Sequence, residues 1–552
     1  MTESTQAANL DTSIFADRES EVRSYSRNWP VVFDTAKGTT LTTVDGDEYL
    51  DFFGGAGALN YGHNDDDMKA ALLEYIQRDG VTHSLDKYTV AKRAFLETFS
   101  SNVLEPRGLD YKVMFPGPTG TNAVESALKL ARKVTGREAI INFTNSFHGM
   151  TLGSLSVTGN SMKRAGAGIP LVHATPMPYD NYFGGVTEDF QWMERVLVDS
   201  GSGMNRPAAV IVECVQGEGG INAARAEWLR ALNDLCVRHD ILLIVDDVQM
   251  GCGRTGEFFS FEFAGIKPDI VTLSKSIGGY GLPLALTLFR RDLDEWTPGE
   301  HNGTFRGNNM AFVTAEVALR KYWSDDTLQN RTLENGRILR ERFSPLVYKY
   351  QDKLELRGRG MAFGIAFLEK PELAGEVMAR CFDNKMLGET AGPSDEAVKI
   401  PAPPPCPEEG PPSFVPPPAE ITDTDRHVRG NNGNWESKRI VLAGDRVGFS
   451  FHETTIAAGT VNDFHYANHV EAVWLTRGKG TLRDLTNGEE YPLAAGSMYL
   501  LDGHEKHQVV VEEEMQMLCV FNPPVVGDEN HDEDGIYPLL RLQDDGTVIR
   551  EK

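Results

Sequence analysis

Short hydrophobic runs alternate with helical patterns over the first 400 residues of the chain. The runs at 208–213, 241–245 and 269–273 are rich in Val, Ile and Leu, a composition typical of buried strands. The stretches at 122–134 and 223–239 repeat their apolar positions with a helical period. This alternation predicts an α/β fold in which parallel strands are joined by helical crossovers.

From residue 421 to the end, the pattern changes to strand-like runs without helical stretches. Turn signals that end in glycine occur at 458–459, 477–478, 487–488 and 495–496. Regularly spaced short strands with such turns predict an antiparallel sandwich or barrel.

A proline-rich segment separates the two patterns. Residues 401–418, PAPPPCPEEGPPSFVPPP, hold ten of the 28 prolines. Because proline fixes φ and lacks an amide donor, the segment predicts a stiff polyproline II spacer. We therefore expect an N-terminal domain at 1–400, a linker at 401–420 and a C-terminal domain at 421–552. Within the first domain we expect a large subdomain at about 65–305 and a small subdomain built from the two flanks.

Charge and cysteine content exclude several classes of function. Lys and Arg number 54 against 80 Asp and Glu, and a net charge of −26 argues against nucleic acid or an anionic membrane as partner. No apolar run approaches the ~20 residues of a membrane span, and the first residues lack the features of a secretory signal. The six cysteines show no CxxC or CxxH spacing, which excludes a disulfide framework and a zinc finger. The sequence predicts a soluble, cytoplasmic, multidomain protein.

Three features of the N-terminal domain indicate its chemistry. The turn at Gly120 and Thr121 opens a helical pattern and offers free backbone N–H groups to a phosphate. Asp246 ends a buried strand, where an open α/β sheet has its ligand crevice. Lys275 lies between serines and precedes several glycines, which suits a Schiff-base lysine. Each feature has an ordinary alternative, namely a helix cap, a loop carboxylate and an exposed lysine, but together they are typical of a pyridoxal phosphate enzyme.

The order of these features resembles the class III aminotransferases of the fold-type I pyridoxal phosphate enzymes, over residues from about 15 to 400. The resemblance implies that Lys275 carries the cofactor and that Asp246 pairs with its pyridinium nitrogen. It also implies that Thr304 reaches the phosphate of a neighbouring subunit, so we expect at least a dimer. The implied cofactor-binding residues are Gly120, Thr121, Phe147, His148, Val248, Gln249, Lys275 and Thr304.

Within that class, the segments at 19–27, 52–63 and 246–256 are most similar to the diaminobutyrate–2-oxoglutarate aminotransferases of ectoine biosynthesis. The implied reaction transfers the amino group of L-glutamate to L-aspartate 4-semialdehyde and gives L-2,4-diaminobutyrate. Glu218 and Lys399 are the implied substrate-binding residues. The strand–helix unit that the family has after residue 400 is expected to be missing, because the proline segment begins there. An aminotransferase for another ω-amino substrate, such as ornithine or 4-aminobutyrate, is the alternative.

The C-terminal domain contains an altered pair of cupin motifs. The first motif runs from Gly459 to Gly478 and has Ala467 in place of its second histidine. In the second motif Tyr499 stands where cupins usually have histidine, and His507 follows eight residues later. With Glu471, these side chains offer a carboxylate, a phenolate and an imidazole, a set that suits a divalent transition metal such as iron(II). The motifs alone leave open a cupin that binds a sugar or an effector and has lost its metal.

The surrounding segments resemble ectoine synthase over essentially all of 427–540. That enzyme closes N4-acetyl-L-2,4-diaminobutyrate into ectoine with loss of water. A non-catalytic, ligand-sensing cupin is the alternative. His452 stands where we expect a smaller polar residue. Because neither domain has a recognisable acyl-coenzyme A site, we expect a separate acetyltransferase to act between the two reactions. The resemblance implies the metal ligands Glu471, Tyr499 and His507 and the substrate-binding residues Trp435, Arg439, Thr454, Tyr466, His469 and Phe521.

Overall fold

In a computed structural model the chain forms two compact units, 1–408 and 409–552. The predicted polyproline spacer at 401–420 lies outside the residues that the structure describes. The structure describes residues 12–184, 190–400, 421, 424, 426–430, 432–442, 449–466, 469–502, 506–526, 540–542 and 548–550. For 540–542 and 548–550 it describes the backbone only.

The first unit is an α/β structure with one large sheet and two smaller four-stranded sheets. Its strands are β1 (Phe33–Lys37), β2 (Thr40–Thr43), β3 (Glu48–Asp51), β4 (Tyr111–Met114), β5 (Ile140–Phe143), β6 (Ala174–Met177), β7 (Ala209–Val212), β8 (Val215–Gln216), β9 (Asn222–Ala223), β10 (Leu242–Asp246), β11 (Ile270–Leu273), β12 (Leu286–Arg290), β13 (Leu354–Arg359), β14 (Ala362–Phe367), β15 (Met386–Leu387), β16 (Glu389–Ala391) and β17 (Ala397–Ile400). Its α-helices are α1 (Ser13–Arg18), α2 (Gly54–Gly57), α3 (Asp66–Gln77), α4 (Val90–Phe99), α5 (Gly120–Thr135), α6 (Leu152–Ser156), α7 (Ser161–Ala165), α8 (Gln191–Val198), α9 (Ala226–Arg238), α10 (Asn309–Tyr322), α11 (Thr327–Lys349) and α12 (Glu372–Asp383).

The large sheet has seven strands in the order β4-β12-β11-β10-β7-β5-β6. The predicted parallel arrangement is confirmed for β11, β10, β7, β5 and β6. β12 is an exception, because it runs antiparallel to both β11 and β4. The connection from β11 to β12 contains a short 3₁₀ turn at Lys275–Gly278 and no crossover helix, which fits an antiparallel return.

Both faces of this sheet are buried. Along β7, Val210 and Val212 belong to one apolar cluster, whereas Ala209 and Ile211 belong to a second cluster on the opposite face. Residues of β10 divide between the two clusters in the same way. Strands that are covered on both sides read as continuous hydrophobic runs, which is the pattern seen in the sequence.

The flanks of the first unit form the two smaller sheets, with the orders β1-β2-β3-β15 and β13-β14-β17-β16. Beside the second of these sheets lies an apolar cavity of about 560 Å³, whose lining includes Phe343, Phe367, Met378 and Ile400. Ile400 is the last described residue before the proline segment. The expected loss of a strand–helix unit after residue 400 therefore falls outside the described residues.

The second unit is built of antiparallel strands, as predicted. β19, β20, β25, β22 and β23 follow one another in its eight-stranded sheet, with β18 beside β19, β21 paired to β25 and β24 paired to β22. Its strands are β18 (His427–Arg429), β19 (Trp435–Val441), β20 (Ser450–Ile456), β21 (Val461–His465), β22 (Val470–Asp484), β23 (Glu490–Ala494), β24 (Met498–Leu501), β25 (Lys506–Asn522), β26 (Leu540–Leu542) and β27 (Val548–Arg550).

Three of the four predicted turns connect strands of this unit, those at 458–459, 487–488 and 495–496. The prediction at 477–478 is wrong, because these residues lie inside β22 at an irregularity of its pairing with β25. Gly478 has φ of 97°, and a Cβ atom there would lie 2.1 Å from the carbonyl oxygen of Glu514. The glycine therefore marks a bulge within one long strand.

Among the described residues, we find no helix of the length and apolarity needed to cross a membrane.

Two candidate active sites

Asp246 lies at the carboxyl end of β10 and is 5% exposed. Its Oδ2 lies 2.7 Å from Nδ1 of His148, and its Oδ1 accepts hydrogen bonds from Thr272 Oγ1 and the Val248 N–H, both at 3.1 Å. Burial lowers the pKa of His148, but the hydrogen bond to Asp246 and the charges of Asp246 and Glu213 together outweigh it, so the net direction is upward. The arrangement holds the Asp246 carboxylate at the edge of the sheet where ligands bind.

Lys275 lies two residues after the end of β11, the strand next to β10 in the sheet. Its Nζ donates a hydrogen bond of 2.8 Å to the Ala56 carbonyl, and burial lowers its pKa to about 8. The residue has φ of 54°, a left-handed conformation that is uncommon outside glycine and often occurs at functional sites. A buried amine with a lowered pKa is a better nucleophile toward a carbonyl group.

The predicted phosphate turn forms the start of α5, which opens with Gly120. A Cβ atom on Gly120 would lie 2.6 Å from Cγ1 of Val248, so only glycine fits at this approach. Thr121 Oγ1 lies 2.7 Å from Thr151 Oγ1 and 2.9 Å from Ser154 Oγ. The N-terminus of α5 therefore packs against Val248, two residues after Asp246.

The other predicted cofactor residues lie as follows. Gln249 Nε2 donates to the Ala56 carbonyl, which also accepts from Lys275, and to Glu218 Oε1 at 3.2 Å. The Phe147 ring is contacted by the Lys163 ammonium, 4.4 Å from its centroid. Thr304 is exposed on the single chain. These positions are compatible with the predicted roles. Lys275 and Gln249 donate to the same carbonyl group, that of Ala56.

The residues fit pyridoxal phosphate as a group. The start of α5 contacts Val248, whose N–H donates to Asp246. The buried amine of Lys275 lies beside Gln249, because both side chains donate to the Ala56 carbonyl. A phosphate, a ring nitrogen and an aldehyde therefore each have a suitable group.

Lys399 is 1% exposed and lies between two carboxylates, with Nζ 2.7 Å from Glu218 and 2.7 Å from Glu389. Although burial raises the pKa of Glu218, the charge of Lys399 lowers it to about 2. Sequence analysis missed Glu389, which is the first residue of β16. Nothing in its local sequence predicts that it meets Lys399, because β16 and β17 pair only in the folded sheet.

The second site is a narrow cavity of about 30 Å³ inside the second unit, enough for about one water molecule. All three predicted metal ligands and four of the predicted substrate residues line it. The lining residues are Trp435, Ser437, His452, Thr454, Ile456, Phe464, Tyr466, Glu471, Tyr499, His507, Val509, Met517, Cys519 and Phe521.

Arg439 and His469 are not among these lining residues. Arg439 is fully buried and pairs with His452 across β19 and β20. The His469 ring lies 6.2 Å from that of Phe521, and its Nδ1 lies 2.8 Å from the Pro523 carbonyl. Both predicted substrate residues therefore lie next to residues that line the cavity.

Burial raises the pKa of Glu471 to about 8 and that of Tyr499 well above its usual range. A bound cation would favour the ionised forms of both groups, so the donor set fits a metal ion. In the described part of the chain, no three His, Cys, Asp or Glu side chains are arranged to hold a metal. Of the described residues, the three predicted ligands include the phenol of Tyr499 beside Glu471 and His507.

Sequence analysis did not assign roles to Ser437, Cys519 and Met517. The strands alternate inward and outward residues, so positions 435, 437 and 439 of β19 and 452, 454 and 456 of β20 face the same side. The alternation with a period of two is visible in the sequence. Which inward residues become neighbours depends on the strand register, which only the folded sheet shows.

The first unit has the fold of a pyridoxal phosphate-dependent aminotransferase, and the second is an all-β domain with an internal cavity. The chain matches the family model "Aminotransferase class-III" over residues 22–403 and the model "Ectoine synthase" over residues 414–541. It belongs to the class III aminotransferase family, whose cofactor is pyridoxal 5′-phosphate, and it carries an ectoine synthase domain in the same chain.

Relatives and solved structures agree with this assignment. The chain is 64% identical over 392 residues to the diaminobutyrate–2-oxoglutarate transaminase of Streptomyces coelicolor, which covers 71% of this chain and 92% of the relative. It is 58% identical to the enzyme of the same name from Virgibacillus pantothenticus over 70% of this chain and 93% of the relative. The ornithine aminotransferase structure from Toxoplasma gondii superposes with a TM-score of 0.63 at 26% identity and covers 74% of this chain and 94% of its own.

Proposed function

We propose that the protein is a bifunctional enzyme of ectoine biosynthesis. The first unit transfers the amino group of L-glutamate to L-aspartate 4-semialdehyde and forms L-2,4-diaminobutyrate. The second unit cyclises N4-acetyl-L-2,4-diaminobutyrate to ectoine with loss of water. The observation that carries the proposal is that one chain joins a transaminase domain, 64% identical to a diaminobutyrate transaminase, to an ectoine synthase domain. The alternative of an ornithine or 4-aminobutyrate substrate is not favoured, because the structural likeness to an ornithine aminotransferase reaches only 26% identity.

In the first unit, pyridoxal phosphate supplies an electron sink for the bond changes at the amino-bearing carbon. Asp246, held by His148 and Thr272, would pair with the ring nitrogen. Lys275 holds the cofactor and moves the proton at the substrate carbon, a role that suits its pKa of about 8. Gly120, Thr121 and the partner subunit's copy of Thr304 hold the phosphate, which requires at least a dimer.

Glu218 and Lys399 recognise the substrate. Lys399 is the predicted cation for a substrate carboxylate, and in the structure it is already held by Glu218 and Glu389. The Lys399 ammonium has three N–H donors and these two carboxylates take two of them, so the third can bind a substrate carboxylate. Glu218 also accepts a hydrogen bond from Gln249.

In the second unit, Glu471, Tyr499 and His507 hold a divalent transition metal, iron(II) by the choice of donors. The metal supplies Lewis-acid polarisation of the acetamide carbonyl. Because the cavity as it stands holds about one water molecule, its lining must move apart to admit the substrate. Trp435, Thr454, Tyr466 and Phe521 would then hold the substrate amine near the carbonyl and exclude water.

The two activities are tested on the purified full chain by mass spectrometry of its products. With glutamate and aspartate semialdehyde we expect diaminobutyrate, and with the acetylated diamine we expect ectoine. Formation of only one product would restrict the proposal to that unit. Ornithine or 4-aminobutyrate as a much better amino donor than diaminobutyrate would refute the assignment of the first unit.

The position of the cofactor is tested independently of substrate. Borohydride reduction of the holoenzyme, followed by peptide mapping, should place the pyridoxyl group on Lys275. Lys163 provides an internal comparison, because its ammonium contacts the Phe147 ring close to the same site. A label on Lys163 or any other lysine would contradict the assignment.

A further inference from the structure

His452 has no role in the proposed function, yet it lines the cavity of the second unit. Its side chain is on the inward face of β20 with Thr454 and Ile456 and is 2% exposed. Among the described residues, its Nε2 has no hydrogen-bond partner. An unsatisfied buried nitrogen destabilises the fold, so its presence in a substrate cavity requires an explanation.

The neighbours of His452 suggest what it meets. Arg439 is directly opposite on β19, and Cys519 is directly opposite on β25. Side chains of such pairs lie on one face with Cβ atoms about 5 Å apart. The imidazole ring also packs on Phe521, with 5.1 Å between ring centroids. His452 lines the cavity, and Arg439 lies next to it, just outside the lining residues.

This pair matches the head of an α-amino acid. A guanidinium suits the α-carboxylate, and the α-ammonium on the same carbon then lies next to the neighbouring side chain. Burial and then the charges of Arg439 and His469 lower the pKa of His452 well below its usual value. A neutral imidazole accepts a hydrogen bond from an ammonium group and can take its proton.

Resting on the proposed cyclisation, we propose that His452 is a catalytic residue that takes a proton from the substrate α-ammonium through Nε2 and returns it to the departing oxygen. The α-nitrogen must lose that proton before its lone pair can form the C–N bond to the acetamide carbon. The carbonyl π electrons move to oxygen, and the C–O bond then breaks as water leaves. In all, the α-nitrogen loses two protons and the oxygen gains two, so the imidazole ends unchanged and no further reactant is needed.

The test uses the full, metal-loaded chain with N4-acetyl-L-2,4-diaminobutyrate and measures ectoine formation. His452→Gln should lower kcat by about 10²–10⁴-fold, the usual contribution of a general acid–base group, with KM and metal content close to wild type. In His452→Ala, added imidazole should restore part of kcat. His427→Gln is the matched control, because His427 lies on β18 outside the cavity lining and should leave the rate unchanged.

A pH profile separates a chemical role from a packing role. The titratable groups that face His452 are Arg439 on β19, Cys519 on β25 and His469. We expect an acidic limb in the wild-type profile of kcat/KM that is absent in His452→Gln. An unchanged limb, a kcat within threefold of wild type, or a loss that follows metal loss would overturn the inference.

If His452→Gln folds poorly, His452→Asn offers a second, smaller replacement, and the imidazole rescue of His452→Ala tests the same role in a third variant. If wild-type protein makes no ectoine, the proposed cyclisation is wrong and this inference is wrong with it. If wild type makes ectoine and the variants match it, only the role of His452 is refuted.

Discussion

At the scale of single residues, Asp246 shows how neighbouring donors position a side chain. Three donors converge on its buried carboxylate, which is the proposed partner of the cofactor's ring nitrogen. Asp246→Asn should retain the cofactor, because phosphate and lysine contacts remain, but turnover should fall by at least about 10²-fold as the charge is lost. Cofactor absorbance and kcat measure the two effects. Thr272→Val, which removes one neutral donor, should reduce kcat much less, and full turnover in the Asn variant would refute the role.

The second site depends on residues whose charged forms are costly without a cation. Glu471 and Tyr499 are buried, and burial raises the pKa of both. Replacing Glu471, Tyr499 or His507 by Ala should therefore lower metal content and ectoine formation together, as measured by elemental analysis and product assay. Met517→Leu alters the same cavity without removing a donor and should keep the metal. Full activity in thoroughly metal-free protein would exclude a metal role.

At the scale of elements, the bulge in β22 requires glycine at position 478. A side chain at Gly478 would meet the Glu514 carbonyl at 2.1 Å and would need φ of 97°. Gly478→Ala should destabilise the second unit by about 2–4 kcal/mol, the sum of steric strain and an unfavourable φ. Calorimetry of the full chain should show a lowered transition with loss of ectoine formation.

The matched control for this change is Gly488→Ala in the turn between β22 and β23. Gly488 has φ of 79°, but no atom lies within 4 Å of its added Cβ. It should cost about 1 kcal/mol, from backbone strain alone. Equal effects at both glycines would show that the contact with β25 is not what requires Gly478.

At the scale of the whole molecule, the chain joins two reactions that are not consecutive. Diaminobutyrate must be acetylated before the cyclase can use it, and no acyl-coenzyme A site is recognisable in the sequence. We expect the protein alone to stop at diaminobutyrate when it is given glutamate and aspartate semialdehyde. Adding an acetyltransferase with acetyl-coenzyme A should give ectoine, and cleavage within 401–418 should change the yield little. Ectoine without an acetyltransferase would show that one unit has another activity.

The sequence by itself determined the α/β and all-β character of the two units and the positions of Asp246 and Lys275. These features are local, because a buried strand reads as a hydrophobic run and its functional residues follow it directly. The tertiary structure alone decided that β12 is antiparallel, that 477–478 is a bulge, and that Lys399 lies between Glu218 and Glu389. Strand register and long-range pairing create those contacts, and a one-residue shift would move every side chain to the opposite face.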